Sequence, residues 1–316
     1  MANLSISNSK VMKKVIKFVL IIVAIVVVID LLVGQIGGYM VDSHKMAGDY
    51  KSVEYVMTQC DEDVLILGSS VALNGLVPAV ITDSTGLSCY NGAANGQVLP
   101  FFETMLECVF QRYAPKTIIF GFRPNETTTT GIGERYNLLV PYYGKGYETL
   151  DRYLESSSVE EKYLLKSNLY RYNNIWWRIL LYQFVTPNEQ GEQGFVAKGM
   201  PRYYPRLNSE NKDYESTPER LAQFSKIVEM SKAKGVNLVV VFLPKYLKLY
   251  NNGNLSSIRD IVDICKKNDV KYYIDVQKEE YLNDSTMFYD ETHLNKEGAY
   301  KYTGDLVNRM KKDSIF

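Results

Sequence analysis

The chain has 316 residues, with 36 basic and 36 acidic side chains and a formal net charge of zero. This balance argues against a nucleic-acid-binding protein, which usually carries a basic patch or stripe. The composition, 46% hydrophobic and 23% charged residues, is typical of a folded globular chain and excludes disorder as the main state.

Residues 18–29 (FVLIIVAIVVVI) form an almost pure Val/Ile/Leu run that continues to residue 33. This length is close to what a ~30 Å hydrocarbon core requires. Four lysines precede the run, so the positive-inside rule predicts a cytoplasmic tail at 1–14, a transmembrane anchor at 15–41 and everything later outside the cell membrane. A cleaved signal peptide is the alternative, but 34–38 (GQIGG) offers no Ala-x-Ala site. A buried core helix is the third possibility.

Strand and helix patterns alternate after a predicted linker at 42–60. Short apolar runs predict strands at 64–67, 87–90, 117–120, 238–243 and 272–276. Helical patterns follow at 100–113, from 218 to a stop at Gly235, at 256–268 and at 296–312, with Thr217 as an N-cap. This alternation predicts a three-layer α/β/α domain at 61–316, with a doubly wound, parallel, five-stranded sheet of flavodoxin-like order.

The alternation breaks at about 127–215, which is too long for a plain loop and is interpreted as an inserted, partly helical lobe. Its aromatic residues could pack the lobe, or they could form a stacking surface for sugar rings or a docking face near the membrane. They are Tyr136, Tyr142, Tyr143, Tyr147, Tyr153, Tyr163, Tyr170, Tyr172, Trp176, Trp177, Tyr182, Tyr203 and Tyr204.

Histidine and cysteine usage limits the metal and redox chemistry. The chain has only two histidines, His44 and His293, and His44 closely follows the apolar run, so a zinc site of two or three histidines is not expected. No two cysteines are spaced Cys-x-x-Cys, which excludes zinc ribbons and thioredoxin-like sites. Buried free thiols are expected, and a disulfide stays open, for Cys60, Cys89, Cys108 and Cys265. No nucleotide, metal or flavin cofactor is predicted.

Four short segments fall at the carboxyl ends of predicted strands or in the final loop. In a doubly wound sheet, ligands bind beyond these strand ends. A serine on a tight turn, a glycine-rich turn and an asparagine amide are all groups that can face a ligand there. The segments are 67–70 (LGSS), 91–96 (NGAANG), 124–126 (PNE) and 290–293 (DETH).

Together these segments predict an acyl-transfer site. Ser70 is the expected nucleophile, His293 the general base and acid, and Asp290 the carboxylate that orients the imidazole. The N–H groups of Ser70 and Gly96, with the side-chain amide of Asn125, are expected to hold the oxyanion. For each segment taken alone, an ordinary turn, a loop asparagine or a surface histidine is the alternative.

The four segments resemble the blocks of the SGNH (GDSL-type) hydrolase superfamily over about residues 60–312, the lobe excepted. The first block is similar to 68–70, with Ser70 in the nucleophile's place, and the second-block glycine falls on Gly96. Asp290 and His293 match the Asp-x-x-His block outright. The third block departs, because Pro124 and Glu126 stand where the family has glycine and aspartate around the asparagine.

Within that superfamily the chain resembles the membrane-anchored branch, which includes the teichoic-acid D-alanyl transfer protein and exopolysaccharide O-acetyltransferases. The resemblance implies a serine-dependent acyltransferase acting on a cell-surface glycopolymer or acyl ester, beside a membrane-bound O-acyltransferase partner. An extracytoplasmic carbohydrate esterase or deacetylase needs the same residues and remains open. A non-catalytic scaffold that binds glycan or a membrane partner is the third hypothesis.

Overall fold

The computed structural model describes residues 2–42, 48–128, 136–184 and 192–316. The strands in these residues are β1 (Val64–Gly68), β2 (Cys89–Asn91), β3 (Thr117–Phe122), β4 (Asn208–Glu210), β5 (Asn237–Phe242), β6 (Leu247–Leu249) and β7 (Lys271–Ile274). The α-helices are α1 (Ala2–Asp42), α2 (Asp49–Thr58), α3 (Ser70–Gly75), α4 (Pro78–Thr85), α5 (Leu99–Arg112), α6 (Glu148–Glu155), α7 (Glu161–Leu164), α8 (Asn168–Phe184), α9 (Pro218–Ala233), α10 (Ser256–Lys267), α11 (Glu279–Leu282) and α12 (Lys296–Lys312).

A five-stranded sheet forms the centre of the domain, in the order β2-β1-β3-β5-β7. Every neighbouring pair in it is parallel, and Gly68 of β1 lies opposite Gly121 of β3. This is the predicted doubly wound, flavodoxin-like order, which confirms the fold class. All strand carboxyl ends therefore meet at one edge.

Two hydrophobic cores cover the two faces of the sheet, because successive side chains of a strand point to opposite faces. Leu65 and Leu67 of β1 join the core formed with α2, α5, α9 and α10. Val64 and Ile66 join the core formed with α3, α4 and α12. The sheet is thus the middle of three layers, as predicted.

The predicted helices begin within one residue of the observed ones. Helix α12 has the predicted bounds, and α9 begins at Pro218, with the Arg220 N–H donating to Thr217 Oγ1 at 3.3 Å. Strand β2 begins two residues later and ends one residue later than predicted, and only three of its residues pair. The predicted linker at 42–60 contains α2, whose Val53 and Val56 are buried because they pack on the domain.

Helix α1 contains the stretch Lys10–Val41, which is long and apolar enough to cross a membrane. Its most apolar window has a mean hydropathy of 3.1, and none of that window is buried inside the protein. The last part of α1 is different, because Gly37 and Val41 are buried against the rest of the chain.

The inserted segment at 127–215 contains α6, α7, α8 and β4 in its described parts. Strand β4 pairs with β6 in a small parallel sheet that the sequence did not predict. The aromatic residues are divided: Tyr142, Tyr153 and Tyr172 are buried in the core, whereas others are strongly exposed. The exposed ones include Tyr163, Trp177, Tyr203 and Tyr204.

Candidate active site

A sharp turn between β1 and α3 places Ser70 at the carboxyl edge of the sheet. Gly68 ends β1 with φ +131°, and a Cβ atom there would lie 2.3 Å from the carbonyl oxygen of Gly121. Only glycine fits this turn without strain. Ser69 then precedes the helix, and Ser70 is its first residue, where backbone N–H groups have no acceptor within the helix.

Three of the predicted side chains form one hydrogen-bonded chain across 223 residues of sequence. His293 Nε2 lies 2.9 Å from Ser70 Oγ, and His293 Nδ1 lies 3.0 Å from each carboxylate oxygen of Asp290. These distances are within hydrogen-bond reach for a nucleophile, its base and the group that orients the base. The structure therefore brings Ser70, His293 and Asp290 together in the order that a catalytic triad requires.

The loop that carries Asp290 and His293 is held by its own backbone. Phe288 and Leu294 form an antiparallel bridge, and the Tyr289 N–H donates to the His293 carbonyl at 2.9 Å. Asn295 then caps α12 by accepting from the Gly298 N–H at 2.9 Å. These contacts hold in place the loop that carries the imidazole.

Hydrogen bonds keep the Asp290 carboxyl ionised. Burial alone would raise its pKa, but the His293 side chain and the N–H groups of Thr292 and His293 lower it to about 2. Both N–H groups donate to Asp290 Oδ1 at 2.8 Å. Asp290 therefore carries a negative charge at physiological pH, beside His293 Nδ1.

The predicted oxyanion donors are placed less closely than the triad. Asn125 lines a small cleft together with Val71 and Thr292, the chain neighbours of Ser70 and His293. Gly96, at φ +68°, lies in a loop whose Ala94 N–H donates to the Gly68 carbonyl at 3.0 Å. In the described part of the chain no hydrogen bond joins Gly96 to the triad. The structure thus places Asn125 beside the site and Gly96 in a loop that adjoins it.

Next to Ser70 in the chain, Ser69 contacts a buried carboxyl group. Ser69 Oγ donates to Glu126 Oε2 at 3.4 Å, and Arg123 Nε donates to the same oxygen at 3.0 Å. Glu126 is 1% exposed, and its Oε1 has no hydrogen-bond partner among the described residues. Burial raises the pKa of the Glu126 carboxyl, and Arg123 offsets only part of that effect. Ser69 is thus engaged with Glu126, while Ser70 faces the imidazole.

The Glu126 carboxyl makes stability fall as pH rises. The pKa of Glu126 in the folded chain lies above the ordinary 4.5, so ionising this carboxyl raises the free energy of the folded state relative to that of the unfolded chain. The wild type should lose up to about 1.4 kcal/mol per pH unit above pH ~4.5, until the folded-state pKa is passed. Glu126→Gln should remove this loss, so it should be more stable than wild type at pH 8 and nearly equal at pH 4.5.

Denaturant unfolding of both chains at a series of pH values measures this difference directly. Glu62→Gln, at a half-buried carboxyl whose Oε1 accepts from the Tyr55 hydroxyl, is a control for removing a negative charge elsewhere. A difference between wild type and Glu126→Gln that does not change with pH would show that Glu126 titrates as an ordinary carboxyl.

Sequence reasoning missed Lys245, which lies three residues beyond the end of β5 and lines the cleft with Arg123 and Asn125. Its side chain is only 16% exposed, and Nζ lies 3.9 Å from Glu210 Oε2. Burial lowers the pKa of Lys245, against the opposing effect of Glu210. The rule that ligands bind beyond strand carboxyl ends, applied to β5, could have identified it.

The metal and redox expectations concern the remaining histidine and the cysteines. His44 lies outside the described residues, and within the described ones no three His, Cys, Asp or Glu side chains are grouped to hold a metal ion. All four cysteines are buried and free. Burial raises the pKa of Cys60, Cys108 and Cys265 to about 12 each, which makes these thiols poor nucleophiles.

Comparison with models of known protein families gives no match, and no curated protein matches the chain. Among solved structures, the chain is similar to the psychrotrophic esterase EstA from Pseudoalteromonas sp., determined with monoethylphosphonate as inhibitor. That match has 10% identity and a TM-score of 0.42, over 81% of this chain and 100% of the esterase. A protein of the G-D-S-L lipolytic family from Desulfitobacterium hafniense DCB-2 matches at 9% identity and a TM-score of 0.37, over 78% and 97%. TM-scores of 0.42 and 0.37 are too low to support a fold assignment. The assignment is therefore based on the strand order of the sheet in this chain.

Proposed function

We propose that this protein is a membrane-anchored serine acyltransferase of the SGNH type, acting on a polysaccharide or teichoic acid of the bacterial cell envelope. The observation that carries the proposal is the Ser70–His293–Asp290 chain, with contacts of 2.9 and 3.0 Å at the carboxyl edge of the sheet. The apolar stretch of α1 supports the anchor, and the lysines before it support a cytoplasmic N-terminus and an extracytoplasmic domain.

The proposed reaction proceeds in two halves through an acyl-serine. Ser70 Oγ attacks the carbonyl carbon of an acyl ester while His293 Nε2 takes the hydroxyl proton. The proposed donors to the tetrahedral oxyanion are the Ser70 N–H, the Asn125 side-chain amide and the Gly96 N–H. The intermediate collapses, the donor alkoxide leaves with the proton from His293, and the acyl group stays on Ser70.

In the second half an acceptor hydroxyl attacks the acyl-serine. His293 takes the acceptor's proton and returns it to Ser70 Oγ, so the acylated acceptor leaves and the enzyme is regenerated. With a sugar hydroxyl as acceptor the protein is a transferase, and a membrane-bound O-acyltransferase partner would supply the acyl donor. Neither half needs a metal or an organic cofactor.

A carbohydrate esterase or deacetylase is the second candidate, and one observation favours it. The side chains of His293 and Asp290 are 20% and 46% exposed, so water has access to an acyl group on Ser70 and can act as the acceptor in the second half of the reaction. A transferase must exclude water or outcompete it. Mass spectrometry of products formed from an aryl acetate in the presence of an oligosaccharide separates the two, because transfer yields an acetylated sugar and hydrolysis yields acetate alone.

Labelling with a fluorophosphonate probe tests the activated serine that both candidates share. Wild type in native membranes should label at Ser70, and both Ser70→Ala and His293→Ala should lose the label. Ser69→Ala is the matched control and should still label, because Ser69 contacts Glu126 and not His293. Labelling that survives in Ser70→Ala, or a wild type that stays unlabelled in native membranes, contradicts the proposal and favours the scaffold.

A further inference from the structure

Helix α8 of the lobe begins beside the middle of α1, at Asp30. The Asp30 carboxylate accepts hydrogen bonds from Ser167 Oγ at 2.6 Å, from Asn168 Nδ2 at 3.0 Å and from the Leu169 N–H at 2.9 Å. An ionised side chain inside an apolar helix is costly unless it is paired. These three donors pair it, so Asp30 both caps α8 and fixes where α8 starts along α1.

Two glycines of α1 then let α8 run closely alongside it. A Cβ atom at Gly34 would lie 2.5 Å from the Asn168 side chain, and one at Gly37 would lie 2.6 Å from the Tyr172 ring. Small residues at such positions allow two helices to approach. Because positions 30, 34 and 37 meet 167–169, 168 and 172 in the same order, the two helices run in the same direction.

The position of Asp30 along α1 sets the depth of this contact. From Lys17, the last basic residue before the apolar run, Asp30 is about 20 Å further along the helix at ~1.5 Å per residue. The hydrocarbon core is ~30 Å thick, so Asp30 lies roughly 10 Å short of the boundary on the side of the domain. A lysine that reaches several ångströms back to the headgroups shortens this depth but does not abolish it.

The segment at 159–169, here called the apolar edge of the lobe, ends at the contact with Asp30. A backbone turn precedes this contact, since the Ser167 N–H donates to the Leu164 carbonyl at 3.0 Å. The apolar edge exposes large side chains to its surroundings: Val159 by 79%, Tyr163 by 67%, Leu164 by 43% and Leu169 by 39%.

The residues around the apolar edge fit a membrane interface. The apolar edge also contains exposed charged side chains, those of Glu160, Lys162 and Lys166, and Lys166 Nζ lies 5.8 Å from the centre of the Tyr163 ring. Further from the core of the bilayer, Tyr39 on α1 and Trp177 on α8 are 75% and 79% exposed. Aromatic rings are enriched where the hydrocarbon meets the headgroups, and lysine stems extend from apolar surroundings into water.

We infer that the apolar edge of the lobe inserts into the leaflet on the domain's side, so that lipid covers residues 159–169. This inference rests on the membrane anchor of the proposed function. The protein would then be held at two places, by α1 through the whole bilayer and by the lobe at one surface. The occupant is the boundary between acyl chains and headgroups, and not a second protein, because the depth of Asp30 places the edge there without a partner.

Fluorescence quenching in vesicles of phosphatidylcholine and phosphatidylglycerol that contain only this full chain tests the inference. Leu164→Cys and Leu169→Cys are labelled with an environment-sensitive NBD dye, which the four buried native cysteines do not take up. Val23→Cys in α1 is the reference for the core of the bilayer. Ile274→Cys, on edge strand β7 and 42% exposed, is the matched control for an exposed aliphatic residue.

We expect labels at 164 and 169 to be quenched by lipid carrying an acyl-chain nitroxide, with blue-shifted emission and loss of quenching by aqueous iodide. The label at 274 should be quenched by aqueous iodide and not by the lipid nitroxide, and its emission should not be blue-shifted. If iodide quenches 164 and 169 while lipid quenches 23, the inference fails and the anchor stands. If iodide quenches 23 as well, the anchor and the inference fail together. Protection of 164 and 169 from both quenchers would show a protein–protein contact and would overturn lipid as the occupant.

Discussion

His293→Ala is expected to lower kcat for an aryl acetate by about 10⁴- to 10⁶-fold, and Ser70→Ala by a similar factor. The reason is geometric: Ser70 Oγ has His293 Nε2 at 2.9 Å as its base, and a serine hydroxyl without a base is a poor nucleophile. Because the two side chains act as one unit, the double variant should be no slower than either single variant. Initial rates of the purified full chain in detergent measure all three.

Ser69→Ala is the control for this series, since it removes a hydroxyl one residue away that donates to Glu126. Its kcat should stay close to that of wild type. Circular dichroism of every variant checks that the domain is folded. If His293→Ala kept most of the wild-type activity, the Ser70–His293 contact would be structural and another base would have to be sought.

Asp275→Ala is expected to lower the free energy of unfolding by about 3–5 kcal/mol. Asp275 is fully buried just after β7, and Arg309 of α12 binds both of its oxygens, at 2.9 and 2.6 Å. The Tyr302 hydroxyl donates to it at 2.9 Å. Alanine would leave a largely buried guanidinium and a buried hydroxyl without their acceptor, which is the costly way to break an ion pair.

Lys278 provides the comparison, because its Nζ contacts the same carboxylate at 2.7 Å but its side chain is 35% exposed. Lys278→Ala should cost less than about 1 kcal/mol, as exposed ion pairs do. Chemical denaturation of both variants in the same detergent measures the difference. Equal losses for Asp275→Ala and Lys278→Ala would mean that the Asp275–Arg309 pair contributes nothing beyond a surface contact.

The sheet could be predicted from the sequence because its central strands are buried on both faces. Such strands are continuous apolar runs, as in β1, β3 and β5, and a run of this kind needs no knowledge of its neighbours. The prediction of β2 is less accurate, since only Cys89–Asn91 pairs and three residues are too few to show a clear strand pattern. Helices α3 and α4 have eight residues or fewer, which is too short to show a helical pattern in the sequence, and they are stabilised by packing.

The candidate site could be predicted in part, for a related reason. Asp290 and His293 lie three residues apart, so their contact is local, and Ser70 reaches them because strand ends share one edge. Glu126 is different: its burial depends on how β3, α3 and the loop after β3 pack together, and no sequence pattern shows this. Lys245 was missed although its position after β5 follows the same edge rule.

The lobe was the least predictable part. Its helices lack the alternation that identifies the sheet layers, and the contact between Asp30 and Ser167 joins residues that are 137 positions apart. In the sequence, Asp30 is an isolated charged residue in an apolar run. Its function as the cap of α8 depends on tertiary packing alone.

The pairing of α1 with α8 also fixes the position of α1 relative to the lobe. A single membrane helix joined to a domain by a free linker would let that domain swivel about the membrane normal and change its height. Here Asp30, Gly34 and Gly37 lie against the lobe, so α1 is joined to the domain by packing as well as by the chain. If α1 is the membrane anchor that we propose, an unrelated helix of equal hydrophobic length would keep the protein on the membrane but lose these contacts with the lobe, so the sequence of α1 would determine the orientation of the domain as well as its attachment.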